Sequence, residues 1–198
     1  MLVNADDRDD LKAVHKIQDG FDLTASSAEP FVMPDYDQPS FTATREALLE
    51  QARTDLSGSR GMFGTKNEVD PTAHLLGTAA GWGGLPEHEA FYVVKDPNLP
   101  VGSYQALLAD VPVEAFWSVT VYNHEGFLEP NTVGKYSVNS VTGTRNDDGS
   151  ITVRLGGDES LPNCLPLMDG WNYALRLYQP RPEVLDGSWI PPDFTVAP

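Results

Sequence analysis

The spacing of apolar residues changes once along the chain, near residue 89. Upstream it is helical. Residues 43–56 place Leu48, Leu49, Ala52 and Leu56 on one stripe, with Arg45, Glu46, Glu50 and Arg53 mostly elsewhere. A shorter helix is marked at both ends: Asp70 is a natural N-cap, Pro71 fits the first helical position, and Gly81 fits just past the end. Its residues Leu75, Leu76, Ala79 and Ala80 are the expected packing face, and Gly81 to Pro86 makes a sharp, close-packed exit.

Downstream the period becomes two. Ala90 to Lys95 and Tyr104 to Val111 are strand-like. Residues 115–122 alternate, with Ala115, Trp117, Val119 and Val121 on one face and Phe116, Ser118, Thr120 and Tyr122 on the other. Tyr136 to Val141 predicts another strand, and Asn146-Asp-Asp-Gly149 is a hairpin signal ahead of Ile151, Val153 and Leu155. Trp171 to Tyr178 alternates again, with Trp171, Tyr173, Leu175 and Leu177 set against Asn172, Ala174, Arg176 and Tyr178. Short strands separated by Gly, Pro and Asn point to an antiparallel sandwich or barrel. No fixed-period repeat is present, which excludes solenoids and propellers. The fold class expected is mainly β with N-terminal helices (α+β), built as a β-sandwich.

The first forty residues follow neither period. They hold the acids Asp6, Asp7, Asp9 and Asp10, then Pro30, Pro34 and Pro39, with one amphipathic run, Leu11 to Ile17, able to form a turn or two of helix. The expected division is an acidic, proline-containing arm over 1–40 and a single domain over 41–198 that starts with two helices.

Composition narrows the function classes. Thirteen Lys and Arg against 29 Asp and Glu in 198 residues give a formal charge of −16, which argues against nucleic acid or an anionic membrane surface as the main partner. Such a surface suits a salty medium, though an ordinary acidic protein is the simpler reading. No apolar run approaches the roughly 18 residues of a membrane span. The start, Met1 to Asp7, has no basic or apolar signal region, so a cytoplasmic location is expected. Cys164 stands alone, which removes an intramolecular disulfide and a multi-thiolate zinc site.

The candidate chemistry is sparse. Asp70 and His74 are four residues apart on one helix face, and Glu87 and Glu89 flank His88, so Asp70, His74 and His88 are the catalytic or divalent-metal candidates. The simpler reading makes Asp70 a helix cap and residues 87–89 a solvated turn. Cys164, in an apolar setting, reads as a small buried hydrophobe. Gly81-Trp-Gly-Gly84 follows a helix instead of opening one, so it fails as a phosphate loop. Glu125, Asp169, Glu183 and Asp186 sit at turns, with nothing in the sequence to make them converge on a general acid–base site. No cofactor is indicated. The remaining feature is an aromatic and polar face: Tyr122, Tyr136, Arg176 and Tyr178 occupy the non-core sides of their strands, with Trp82 and Asn131 in adjoining turns. That mixture suits a sugar- or polyol-like ligand or a protein surface. The simpler reading is that these residues cover the second sheet or the packed helices.

Phe116 to Tyr122, Gly126 to Asn131, Tyr136-Ser-Val138, Asn163 to Pro166, Trp171 to Tyr178 and Pro182 to Trp189, in that order, resemble the bacterial family known as domain of unknown function 1214. Gly64-Thr-Lys66 and Gly81 to Pro86 are similar to the same family, so the resemblance spans roughly residues 45–192. It implies a sandwich of jelly-roll type, often fused behind another uncharacterised domain, number 1254 of the same series. It carries no catalytic residue or cofactor. Nothing in the first 40 residues resembles that partner domain, so a separate partner domain or homo-oligomer formation is the expectation. The function expected is a binding or assembly module, with a His/carboxylate hydrolase as the alternative.

Overall fold

A computed structural model describes residues 8–55, 58–81 and 83–197. The chain divides into two compact units, with the boundary between Asp37 and Gln38. In the first unit, α1 (Arg8–Gln18) is longer than the expected one or two turns. Asp9 and Asp10 in its first turn and His15 and Lys16 in its last complement the helix dipole.

The second unit opens with α2 (Gln38–Asp55), which begins before residue 43 because Pro39 is tolerated in a first turn. Its stripe residues Leu48, Leu49 and Ala52 are half-buried, and Leu56 lies outside the described residues. Arg45 ties α2 to α3 (Pro71–Gly81) by donating from Nε to the Ala79 carbonyl at 3.2 Å. Asp70 caps α3 as expected, accepting from the Thr72 and Ala73 N–H groups at 3.0 and 2.9 Å. The packing face differs from the expected one: Leu76 and Gly77 are buried, whereas Leu75 and Ala80 are exposed. Gly77 sets this rotation, because a Cβ there would meet the Met62 side chain at 2.9 Å.

The strands are β1 (Ala90–Lys95), β2 (Tyr104–Leu108), β3 (Trp117–Tyr122), β4 (Ser137–Asn139), β5 (Ile151–Leu155), β6 (Cys164–Leu165) and β7 (Asn172–Tyr178). After the short helix α4 (Pro182–Leu185) comes β8 (Thr195–Val196). They form two four-stranded sheets, ordered β1-β7-β3-β4 and β6-β5-β2-β8. Phe91, Trp117, Val119, Val121, Tyr173, Leu175 and Leu177 of the first sheet share one core with Tyr104, Leu108, Ile151, Val153, Leu155 and Leu165 of the second. Burying a side chain of this size contributes about 1.5–3 kcal/mol, so this shared core is the main stabilising term.

Three expectations need correction. The sheets are not wholly antiparallel, since β5 and β6 run parallel through Arg154↔Cys164 and Leu155↔Leu165. Asn146 to Gly149 does turn, closed by Asn146 and Ser150, but it joins no hairpin, because β4 and β5 belong to different sheets. Ala115, expected on the face of Trp117, is exposed, while Ser118 and Thr120 on the other face of β3 are shielded at 8% and 9% exposure between the half-buried Phe116 and Tyr122. Among the described residues no helix is long and apolar enough to cross a membrane.

Candidate functional site

Strand pairing fixes which expected site residues meet. On the outer face of the first sheet, Arg176 lies between its cross-strand partners Tyr92 on β1 and Ser118 on β3. Further along, Ala174 faces Thr120 and Asn172 faces Tyr122. The Arg176 side chain spans the Thr120–Ala174 pair and donates from Nη2 to the Tyr122 hydroxyl at 2.6 Å. Its guanidinium carbon is 5.7 Å from the Tyr122 ring centroid, within cation–π range. Tyr178 stacks on Phe116 with centroids 4.2 Å apart, and its hydroxyl titrates above the ordinary tyrosine range because it is partly buried, an effect opposed by Arg176.

Tyr122, Arg176 and Tyr178 therefore share one face, as the sequence suggests. Two residues of that face were not among the expected site residues, although alternation had already put Phe116 beside Tyr122. Tyr92 alternates with Phe91 and Val93, a signal present in the sequence, and Phe116 is drawn in by its stack on Tyr178. Tyr92 also fixes the loop after α3, because its hydroxyl accepts from the Leu85 N–H at 3.3 Å. Trp82, an expected member of the site, lies outside the described residues.

Two expected members fall away. The Tyr136 carbonyl accepts from the Val121 N–H at 3.2 Å, in register with Val119↔Val138, so Tyr136 lies on the side of Val121 and Val138, opposite Arg176. Its parity with Val138 carried that information. Asn131 spends both ends of its amide on its own loop: Oδ1 accepts from the Lys135 N–H at 3.1 Å, and Nδ2 donates to the Lys135 carbonyl at 3.0 Å.

Arg176 is half-buried, and its only polar partner among the described residues is the Tyr122 hydroxyl. Arg45, Arg60, Arg145 and Arg154 bond to backbone carbonyls, while Arg53 and Arg181 pair with carboxylates. A guanidinium has five N–H donors, so Arg176 keeps most of its capacity unused. Arg154 is half-buried too and bonds the Pro162 carbonyl, so Arg176 stands apart among the described residues in having a hydroxyl as its one polar partner.

The other candidates do not converge. Asp70 is committed to its helix cap, and His74 Nδ1 lies 2.7 Å from the Met62 carbonyl. His88 borders a shallow hollow of about 200 Å³ with Gly61, Phe63, Glu68, Pro86 and Glu87, a lining that includes neither Asp70 nor His74. Glu68 there is held below the ordinary carboxylate range by the Thr65 N–H and hydroxyl. Among the described residues no three His, Cys, Asp or Glu side chains gather as a metal site. Cys164 is fully buried, and burial pushes its thiol up, with Glu159 adding to the effect. The Asp186 carboxyl is bonded to Ser188, and the Glu125 N–H serves the Asn123 turn.

Residues 103–182 match the family model described as "Protein of unknown function (DUF1214)", in agreement with the resemblance read from the sequence. The crystal structure of the VPA0106 protein from Vibrio parahaemolyticus is similar over 83% of this chain, with a TM-score of 0.62 and 23% identity. The chain spans 47% of that protein's length. An uncharacterised protein from Burkholderia cenocepacia is similar over 54% of this chain and 28% of its own, at 16% identity and a TM-score of 0.39. No curated protein matches the sequence.

Proposed function

We propose that this is a binding or assembly module, whose recognition surface is the outer face of the first sheet around Arg176. The two sheets are read as a jelly-roll-like sandwich, a reading supported by their shared core and the β1-β7-β3 order, with the parallel β5–β6 pair as a departure. The observation that carries the functional reading is the half-buried Arg176 guanidinium, held by Tyr122 and free of any carboxylate among the described residues. Its planar donor fork suits the paired oxygens of a polyol or sugar, or the carboxylate and carbonyl groups of a second subunit. Tyr92, Tyr122 and Tyr178 add aromatic surface with polar tips, the composition favoured at recognition sites. No observation favours the hydrolase alternative, because the Asp70 carboxylate and His74 Nδ1 already have structural partners.

The test is saturation-transfer NMR with myo-inositol and glucose, run beside light scattering across a wide protein concentration range. The proposal expects either saturable polyol binding or a concentration-dependent oligomer, and expects Arg176→Ala to abolish whichever is seen while the variant stays folded. A chain that remains monomeric and binds neither probe, or an Arg176→Ala variant that behaves like wild type, contradicts it.

A further inference from the structure

A second site lies away from the Arg176 face, where β1 ends and β7 begins. Lys95 and Tyr173 are cross-strand partners there, and with Asp96, Pro97, Asp193 and Phe194 they line a hollow of about 360 Å³. Tyr173 is 5% exposed, and its hydroxyl has no hydrogen-bond partner among the described residues. Its aromatic neighbours differ in this respect: Tyr104 Oη and Trp171 Nε1 both donate to the Pro100 carbonyl, at 2.9 and 3.4 Å. Among the described residues no fully buried side-chain oxygen or nitrogen lacks a partner, so the Tyr173 hydroxyl reaches solvent from the wall of this hollow, where an acceptor on a ligand would take the place of water.

Part of the wall is aromatic and apolar. Phe194 packs edge-on to Tyr173 with centroids 4.9 Å apart, and Pro97 adds further apolar surface. Phe194 is brought there by the C-terminal segment, where Thr195 and Val196 pair with Gln105 and Tyr104, and the Ala197 N–H donates to the Ser103 carbonyl at 2.9 Å. The charges at the mouth select against an anion. Lys95 is neutralised by Asp193 at 3.5 Å, which leaves the Asp96 carboxylate in excess. At neutral pH the phenol is protonated, as any tyrosine is, so it can act as a donor.

We propose that this hollow is a binding site for a small uncharged aromatic molecule bearing a carbonyl oxygen, which accepts from the Tyr173 hydroxyl and packs against Phe194. The probes are acetophenone and, as its anionic counterpart, benzoate, each titrated into the isotope-labelled full chain and followed by NMR. Acetophenone is expected to give saturable shifts at Lys95, Asp96, Tyr173 and Phe194, with benzoate binding more weakly. Tyr173→Phe keeps the ring and removes the donor, and weakens acetophenone by about 5-fold, the scale of one hydrogen bond. Phe194→Ala, at a half-buried residue whose neighbours Asp193, Thr195 and Val196 are exposed, weakens it as well and carries the test should Tyr173→Phe not fold. The proposal is overturned by an absence of saturable shifts at these residues, by unchanged acetophenone binding in either folded variant, or by benzoate binding as tightly as acetophenone.

Discussion

Asp70 separates the structural and chemical readings of the helical region. Its Oδ1 accepts from Thr72 and Ala73 at 3.0 and 2.9 Å, which satisfies two of the donors a helix start leaves free. Asp70→Ala removes both bonds and should cost about 1 kcal/mol, in the exposed part of the range for lost caps. In a domain of this size that lowers the melting temperature by roughly 2–4 °C. Asp70→Asn keeps the accepting oxygen and loses only the charge near the helix N-terminus, so its loss should be smaller, about 0.3–1 kcal/mol at low salt, shrinking as salt is added. Thermal denaturation of the three proteins at two salt concentrations measures this. A melting temperature unchanged by Asp70→Ala, or an Asp70→Asn variant as unstable as Asp70→Ala at high salt, would refute the cap account and reopen a chemical role for this carboxylate.

Three further outcomes follow from the same geometry. Cys164 is buried with its thiol shifted upward, so the native protein should resist an aromatic disulfide reagent at pH 8 and react stoichiometrically once denatured; rapid labelling of the folded protein would contradict this. The carboxyls of Asp148, Asp158 and Asp186 are held below their ordinary range by hydrogen bonds from Ser150, Ser160 and Ser188. Because their folded-state pKa values are depressed, their contribution is present above about pH 4 and lost as pH falls through the folded values; Ser150→Ala and Ser160→Ala should flatten that acid limb in urea titrations. Tyr173 shifts the other way, pushed up to about 12 by burial and Asp193. Its contribution is complete below about pH 10 and declines as pH rises toward the folded value, so Tyr173→Phe should lose less stability on the alkaline side, while phenolate absorbance should lack the latest-titrating tyrosine.

Strands with a long, one-sided alternation were legible from the sequence. β1 spans Ala90–Lys95 as expected, and Trp171, Tyr173, Leu175 and Leu177 are all buried on one side of the Trp171–Tyr178 stretch. Local signals also sufficed for the Asp70 cap, whose partners lie within three residues. What period two cannot say is whether the other side of a strand is open. Alternation put Ser118 and Thr120 on the side away from Trp117 and Val119 without saying whether that side is open; both are buried, on the sheet face that Arg176 crosses to reach Tyr122, a contact between residues 54 positions apart. The same limit hid the hollow beside Tyr173: β8 is two residues long, and its partners on β2 lie some ninety positions earlier, so no local pattern announces the pairing that brings in Phe194. The face around Arg176 was half legible: alternation found Tyr122, Arg176 and Tyr178, and the parity of Tyr136 with Val138, borne out by the β3–β4 register, sets Tyr136 apart from them.

The most direct measurement of the central claim is the arginine side-chain NMR spectrum of the isotope-labelled chain, recorded without and with myo-inositol and across a dilution series. Arg176 presents mostly unused donors beside Tyr122, so its guanidinium resonances should be the ones that shift and slow their exchange with water when the polyol binds or the chain associates. Arginine resonances that stay unchanged in every condition, with Arg176 exchanging as fast as an exposed arginine, would contradict the account.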